Sequence, residues 1–364
     1  MRRLRSLSVI TFVVVLVAAA SAQTSLSPDT IKQIDQIVEK ARAEQKLPAV
    51  SVAIELKGNV IFKKAYGLAD LENDLPATTE TLIRTASVAK PMTAVGALQL
   101  AEAGKLDLDA PIQKYCPEFP EKKWPVTTRQ LLGHLSGIRA YEGKEAESTI
   151  HYYSTSDGMI FFKNDALLFH PGDKFAYTTY GYTVIGCVME GASGQKFPDY
   201  MAEHVFKPAG MMHTIVDNFA IVPHRARGYQ KDDNGDVRNA GFMDSSYKIP
   251  GGGYVSNSED LVRFADAVIH NRLLKPETVK MMWTSQKTND GKETHYGLGW
   301  GLAELEGQPI FAHTGGQQGT STSLLAMPSR DYASAVMINM QYQDAAEINR
   351  SIGKVVLAQV NSEQ

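Results

Sequence analysis

Apolar residues recur at helical spacing in the stretch that follows residue 27. Pro28 and Asp29 provide the start signals of this predicted helix. Its periodic apolar positions are Ile31, Ile34, Val38 and Ala41. Apolar residues then alternate with small or polar ones over 50–56, and the turn Lys57-Gly58-Asn59 leads into a second run over 60–66. This pattern predicts a β-hairpin directly after the helix.

The other end of the chain repeats this mixture of strands and helix. Residues 309–313, 320–327 and 333–340 have the composition of three further strands. An amphipathic helix closes the chain, with apolar positions at Ile348, Ile352, Val355 and Leu357. We expect both ends to share one antiparallel sheet.

The middle of the chain is mostly helical in pattern. Helices are predicted over Thr93–Gly104, Gly181–Gly191 and Ser256–Ile269, the last opened by Ser256 and Glu259 at the spacing of a capping box. The predicted fold class is therefore α/β, with an antiparallel sheet flanked by helices and an inserted, mainly helical part.

One domain over 23–364 accounts for this order of elements. We expect an α/β part made of 23–86 and 290–364, and a mainly helical part over 87–289. An active site would lie where the two parts meet, since pockets form at such junctions.

The charge of the chain narrows the classes of function. It has 364 residues with a formal net charge of -3, so it lacks the basic surface of a nucleic-acid-binding protein. Its nine histidines and two cysteines show neither HExxH nor CxxC spacing, and we predict no metal and no cofactor. A small molecule or a peptide is the expected substrate.

The first 22 residues have the features of a secretory signal peptide. Arg2, Arg3 and Arg5 precede an apolar run over 7–20 that ends in Ala20-Ser21-Ala22. We predict cleavage after Ala22, a periplasmic or secreted protein, and no membrane span after cleavage. An uncleaved anchor is the alternative, although the run is shorter than the roughly 20 residues that span a bilayer.

Two cysteines, Cys116 and Cys187, are present in this exported chain. Cys187 lies in the apolar stretch 184–189, where a cysteine behaves as a small buried hydrophobe. A disulfide is chemically permitted outside the cytosol. The sequence context favours two free thiols over a bond.

Ser87 and Lys90 form the segment best suited to chemistry. If Ser87 opens the helix that continues to Gly104, the two side chains lie three residues apart on one face. Pro91 fits the first turn of such a helix, where a missing N–H costs nothing. A neutral lysine could take the proton of the serine, for which its pKa must fall from about 10.4 to roughly 7 or 8.

The Ser-x-x-Lys spacing also occurs three more times, at Ser193/Lys196, Ser245/Lys248 and Ser351/Lys354. These pairs lie at a helix end, in a polar loop and in the terminal helix, so we interpret them as structural. The chain has no G-x-S-x-G sequence, which argues against an α/β-hydrolase.

The order of motifs resembles the family of serine β-lactamases and penicillin-binding proteins, in particular its class C branch. The three motifs are Ser87-Val88-Ala89-Lys90, Tyr177-Thr178-Thr179 and His313-Thr314-Gly315, with supporting segments at 131–138, 251–254 and 296–300. Within that branch, segments 106–109, 117–120, 134–139 and 162–165 are similar to the mitochondrial serine β-lactamase-like proteins and their bacterial relatives.

The resemblance implies a role for each matched residue. Ser87 would be the acylated nucleophile, Lys90 its proton acceptor, and Tyr177 a partner base that loses its proton readily and an acid to the leaving group. The backbone N–H groups of Ser87 and Gly316 would form an oxyanion hole. The implied substrate-binding residues are Thr179, His313, Thr314, Gly315 and Gly316.

Two positions depart from the common pattern of the family. Thr179 stands where asparagine is usual, and His313 stands where lysine is often found. A neutral histidine attracts a substrate carboxylate less strongly than lysine does, which argues against efficient β-lactam hydrolysis. His313 and Tyr177 could instead have a purely structural role. His313 would then be a packing residue at the end of a strand, and Tyr177 a tyrosine of the core.

The function expected from these features is an exported serine hydrolase with an acyl-enzyme on Ser87, favouring a peptidase or amidase. An esterase or a β-lactamase would use the same residues. A binding or filament-forming protein that keeps the fold without turnover is the alternative from another class. The chain lacks the long charged insertion that the mitochondrial members carry between the segments around Tyr141 and Phe162, which argues against filaments. Self-association of another kind is left open.

Overall fold

The computed structural model describes residues 25–362, and the signal peptide predicted at 1–22 lies outside this range. The strands are β1 (Ala49–Leu56), β2 (Asn59–Asp70), β3 (Leu75–Pro76), β4 (Ile83–Arg84), β5 (Ile215–Val216), β6 (Tyr229–Lys231), β7 (Val237–Asn239), β8 (Tyr254–Ser256), β9 (Gly301–Leu305), β10 (Gln308–Gln317), β11 (Thr320–Met327) and β12 (Tyr332–Ile338). The α-helices are α1 (Pro28–Gln45), α2 (Ala89–Glu102), α3 (Thr128–Leu132), α4 (Thr179–Ser193), α5 (Phe197–Met201), α6 (Lys207–Ala209), α7 (Ile249–Gly252), α8 (Ser258–Ile269), α9 (Pro276–Met282) and α10 (Ala345–Ser362).

A seven-stranded sheet joins the two ends of the chain. Its order is β3-β2-β1-β12-β11-β10-β9, and its neighbouring strands are antiparallel. The central contact pairs β1 with β12, so that Val52 lies opposite Val336. The predicted fold class, an antiparallel sheet flanked by helices with a mainly helical part, is confirmed.

Helices cover both faces of this sheet. On one face α1 and α10 pack together, and the apolar cluster beneath them includes Ile34, Val52 and Ile352. On the other face α8 packs against β1 and β12, and a 2.8 Å hydrogen bond joins the hydroxyls of Ser51 and Ser258. All eight residues of β1 are therefore buried, because its alternating side chains enter two cores rather than one core and water.

The mainly helical part contacts the sheet through α8, while α2, α4 and α7 pack against one another. Helix α2 begins at Ala89, four residues before the predicted start, and α4 begins at Thr179. The predicted capping box at Ser256 is wrong. Asn257 caps α8 instead, since its side chain accepts a 2.8 Å hydrogen bond from the Asp260 N–H. None of the helices within 25–362 is long and apolar enough to cross a bilayer.

The prediction of two free thiols is also wrong, because Cys116 and Cys187 form a disulfide. Cys187 lies on α4, as its apolar context predicted, but the packing of that helix brings its Cα to 5.5 Å from the Cα of Cys116. The two residues are 71 positions apart in the chain. Both side chains are buried, at 0% and 5% exposure.

Candidate active site

Ser87 lies in a tight turn between the sheet and α2. The turn is a 3-10 helix over Ala86–Val88, and α2 begins directly after it. Ala86 adopts a left-handed conformation with φ of 45°, which is costly for a residue with a Cβ and is typical of functional turns. Pro91 sits in the first turn of α2, where no intrahelical N–H donor is needed. This geometry presents the Ser87 hydroxyl beside the positive end of α2.

Lys90 is fully buried beside Ser87. Its amine lies 3.0 Å from the Ser87 Oγ, 3.2 Å from the Thr179 Oγ1 and 2.9 Å from the carbonyl oxygen of Gly251. Burial lowers the pKa of Lys90 well below its ordinary value, and the positive charge of Lys248 lowers it further. The amine is therefore disposed to be neutral.

A neutral Lys90 amine fits its three oxygen partners. Such an amine has two N–H donors and one lone pair. The Gly251 carbonyl can only accept, so it takes one donor, while the hydroxyls of Thr179 and Ser87 can each donate or accept. One N–H can therefore bond to Thr179, which leaves the lone pair directed at the Ser87 proton. This is the arrangement that a general base requires.

Tyr177 approaches Ser87 from the other side. Its hydroxyl interacts with the Ser87 hydroxyl, and the face of its ring lies 4.9 Å from the Lys90 amine. Burial of the hydroxyl raises the pKa of Tyr177, and the Ser87 hydroxyl opposes part of this rise. The expectation that this phenol loses its proton readily is therefore not supported. Near neutral pH the amine is therefore free to accept a proton, whereas the phenol keeps its proton and can donate it.

His134 packs against Tyr177 with 4.2 Å between ring centroids. Its Nδ1 accepts a 3.2 Å hydrogen bond from the Thr178 backbone N–H. The side chain is completely buried, and burial lowers the pKa of His134 well below its ordinary value. The neutral ring thus fixes both the ring of Tyr177 and the backbone beside it.

Both ring nitrogens of His313 are bound within the protein. Its Nδ1–H donates to the carbonyl oxygen of Thr314 at 2.7 Å, and the Tyr296 hydroxyl donates to its Nε2 at 2.9 Å. A carbonyl can only accept, which fixes this tautomer. Burial and the Lys90 charge lower the pKa of His313 to about 3. The imidazole is therefore neutral and has no free nitrogen for a substrate.

Strand β10 brings the remaining predicted residues to Ser87. It pairs with β9 as far as Ala312, and residues 313–317 continue beyond that strand. A Cβ on Gly315 would lie 2.6 Å from the Thr85 carbonyl oxygen and 2.9 Å from the Ser87 nitrogen. Only glycine permits this approach. Thr314 and Gly316 are exposed on the same strand.

Three contacts of the site were not predicted from the sequence: the Gly251 carbonyl, the Tyr296 hydroxyl and the buried Lys248. The first two lie in segments 251–254 and 296–300, which the resemblance had already singled out. Lys248 belongs to a Ser-x-x-Lys pair interpreted as structural. Its signal was a lysine three residues before a glycine triplet, in a segment otherwise without charge over 245–257.

Comparison with known proteins assigns the family. The beta-lactamase family model matches residues 34–357. The human mitochondrial serine beta-lactamase-like protein LACTB is 31% identical over 82% of this chain and 72% of its own length. Penicillin-binding protein 4* of Bacillus subtilis is 29% identical over 74% of this chain and 63% of its own. The chain belongs to the beta-lactamase family, which confirms the resemblance drawn from the motifs.

Solved structures agree on the fold. The octameric penicillin-binding protein homologue from Pyrococcus abyssi superposes with a TM-score of 0.79 at 24% identity, covering 90% of this chain and 77% of that one. The D-amino acid amidase from Ochrobactrum anthropi has a TM-score of 0.78 at 25% identity and covers 92% and 100%. Family and fold together define a serine hydrolase of the β-lactamase and penicillin-binding-protein type.

Proposed function

We propose that the protein is an exported hydrolase that forms an acyl-enzyme on Ser87 and cleaves amides or peptides. The observation that carries the proposal is the buried Lys90 amine, 3.0 Å from the Ser87 hydroxyl and with a lowered pKa. Ser87 Oγ bonds to the substrate carbonyl carbon while its proton passes to Lys90. Tyr177 gives a proton to the leaving nitrogen as the carbon–nitrogen bond breaks, and regains one from Lys90. Water then hydrolyses the ester and restores Ser87.

The developing oxyanion would be held by backbone N–H groups. Those of Ser87 and Gly316 are the expected donors, on a turn and a strand that are in direct contact. One such donor is worth roughly 3 to 4 kcal/mol in comparable enzymes.

The substrate we propose carries no carboxylate at the position that faces His313. That side chain is neutral and both its nitrogens are occupied. Lys90 is disposed to be neutral as well. A carboxylate would thus lose its hydration without gaining a charged partner. The similarity to the D-amino acid amidase of Ochrobactrum anthropi, solved in complex with L-phenylalanine amide, supports an amide over a β-lactam.

Export is proposed from the signal at residues 1–22. The disulfide between Cys116 and Cys187 supports it, because such bonds persist in oxidising compartments. Expression of the full chain in a bacterial host tests this point. A mature protein beginning at Gln23 in the periplasm or medium is expected, whereas an intact N-terminus in the cytosol would contradict export.

The acyl-enzyme is tested with a fluorescent fluorophosphonate. We expect it to label the wild type and Ser193→Ala equally, because Ser193 belongs to another Ser-x-x-Lys pair and its hydroxyl bonds to the Met189 carbonyl. Ser87→Ala should take no label. Equal labelling of Ser87→Ala would refute the mechanism.

Matched substrates then test the amide preference. The rate compared is that of cleaving the internal peptide bond, which both substrates contain. We expect kcat/KM for this bond in phenylalanyl-phenylalanine amide to exceed that in the same dipeptide with a free carboxylate by about tenfold or more, which corresponds to about 1.4 kcal/mol. A preference for the free carboxylate would overturn the assignment. A folded protein that neither takes label nor hydrolyses amides, esters or β-lactams would instead be a binding or filament-forming member of the family.

A further inference from the structure

Lys248 is a buried lysine that the proposed mechanism does not use. Only 4% of its surface is exposed, and its amine donates a 3.2 Å hydrogen bond to the sulfur of Met243. The amine faces the rings of Tyr247 and Tyr141, at 5.2 and 5.8 Å from their centroids. A thioether and two aromatic faces replace little of the hydration that an ammonium loses on burial. Such a placement is costly and therefore points to a role.

The charges around Lys248 do not neutralise it. Asp217 is the carboxylate that acts on it, but this group is bound by the Arg84 Nε at 2.7 Å and the Ser245 hydroxyl at 3.0 Å. Arg225 also lies 3.6 Å from Asp217. Within residues 25–362, Lys248 forms no ion pair with a carboxylate. Burial and Arg84 lower the pKa of Lys248 to about 7, although Asp217 opposes them.

The segment that carries Lys248 also holds Lys90. Lys248 ends a 3-10 helix over Ser246–Lys248 and runs directly into α7. Three residues on, the Gly251 carbonyl accepts the hydrogen bond of the Lys90 amine, and the Pro250 carbonyl accepts one from Thr93 on α2. The segment of Lys248 is therefore hydrogen-bonded both to the Lys90 amine and to α2, and the charge of Lys248 acts on Lys90.

Among the residues that the structure describes, the other titratable groups beside Lys90 offer no positive charge of this kind. The rings of Tyr177 and Tyr182 lie 4.9 and 5.4 Å from the Lys90 amine. Burial raises the pKa of both phenols and lowers the pKa of His134 and of His313. Near pH 7 these four side chains are neutral, so Lys248 is the neighbour whose charge changes there.

We propose that Lys248 is a positioning residue of the proposed acylation, which takes up a proton ahead of Lys90 and by its charge keeps the Lys90 amine free to accept the proton of Ser87. As the pH falls, the first proton enters Lys248, and the second then meets a like charge. Two interacting buried amines resist double protonation in this way. The proposal rests on the proposed function only for its catalytic consequence, since the coupling of the two amines is a property of the folded protein.

The test is a pH titration of the full mature protein labelled with [ε-13C]lysine, followed by NMR. Lys90→Arg identifies the Lys90 resonance by its loss. We expect the Lys90 titration midpoint to rise by about one pH unit in Lys248→Met, because a like charge is removed. It should stay at the wild-type value in Lys248→Arg, which keeps the charge. Lys248→Gln is a second neutral variant in case the methionine variant fails to fold.

A control variant tests whether the effect is specific to Lys248, and fluorophosphonate labelling tests the proposed function separately. Lys196→Met removes an exposed lysine of another Ser-x-x-Lys pair and should leave the Lys90 titration unchanged. A Lys90 midpoint that is identical in the wild type, Lys248→Met and Lys248→Gln would overturn the proposal. The acid limb of fluorophosphonate labelling should shift with the NMR midpoint. Absence of labelling on a wild type with a coupled Lys90 titration would reject the proposed function and leave the coupling standing.

Discussion

Replacing Cys116 and Cys187 by alanine removes the disulfide that links α4 to an earlier segment of the chain. Cys187 lies on α4, whose first residue, Thr179, contacts the Lys90 amine. Cys116 follows the short 3-10 helix Ile112–Lys114 and is completely buried. The bond therefore restrains the helix that brings Thr179, and Tyr177 two residues before it, to the candidate site.

The expected loss of stability follows from the length of the closed loop. The bond spans 71 positions, for which the chain-entropy relation predicts about 4 kcal/mol at 25 °C. The alanine variant also loses two buried sulfur atoms, which adds about 1 kcal/mol for the cavity. Reduction of the wild type removes the bond alone and should cost about 1 kcal/mol less than the double substitution.

Urea unfolding followed by tryptophan fluorescence measures these differences. We expect the free energy of unfolding to fall by about 4 kcal/mol on adding dithiothreitol to the wild type, and dithiothreitol to have no effect on Cys116→Ala/Cys187→Ala. A fall below about 1 kcal/mol would refute the entropic reasoning. Alkylation of two thiols in the protein unfolded without reductant would show that the bond does not form.

Two further substitutions test the pKa of a buried carboxyl group, Glu55, and the role of Tyr177 as a proton donor. Burial and the Asp266 carboxylate raise the pKa of Glu55 from 4.5 to about 8, so the folded protein keeps a proton that the unfolded chain releases, and stability falls as the pH rises through this window. Glu55→Gln should lose less thermal stability than the wild type between pH 5 and pH 8.5, and equal losses would contradict the assignment. Tyr177→Phe should lower kcat on an amide about 100-fold or more, because it removes the acid that protonates the leaving group. Its melting temperature should change little, since 40% of this residue is exposed, and an unchanged kcat would exclude Tyr177 from proton transfer.

The long strands could be predicted from the sequence because their apolar residues alternate with small or polar ones, as expected for strands whose side chains point in turn to the two faces of a sheet. The prediction of β11 at 320–327 agrees with the structure to the residue. Strands of two or three residues, such as β4, β5 and β8, carry no such period and were missed. The left-handed Ala86 gives no signal either, since alanine is not a residue that favours that conformation.

Local spacing explains which part of the site was predictable. Ser87 and Lys90 are three residues apart on one turn, so a short motif suffices to pair them. The bond between Cys116 and Cys187, the Gly251 carbonyl at Lys90 and the Tyr296 hydroxyl at His313 depend on the packing of distant segments. Spacing in the sequence contains no information on such contacts, which is why the cysteine prediction was wrong.

A single physical cause links the base of this site to its proposed selectivity. Burial is the main reason that the pKa of Lys90 and that of His313 are low, so the dry environment that frees the amine also removes the positive charge a carboxylate would need. Lysine at position 313 would supply that charge, but it would place a buried ammonium beside Tyr177 and the Lys90 amine. Histidine avoids this cost. A neutral pocket then suits an uncharged amide, whose negative charge develops only as Ser87 attacks, where backbone N–H groups can meet it.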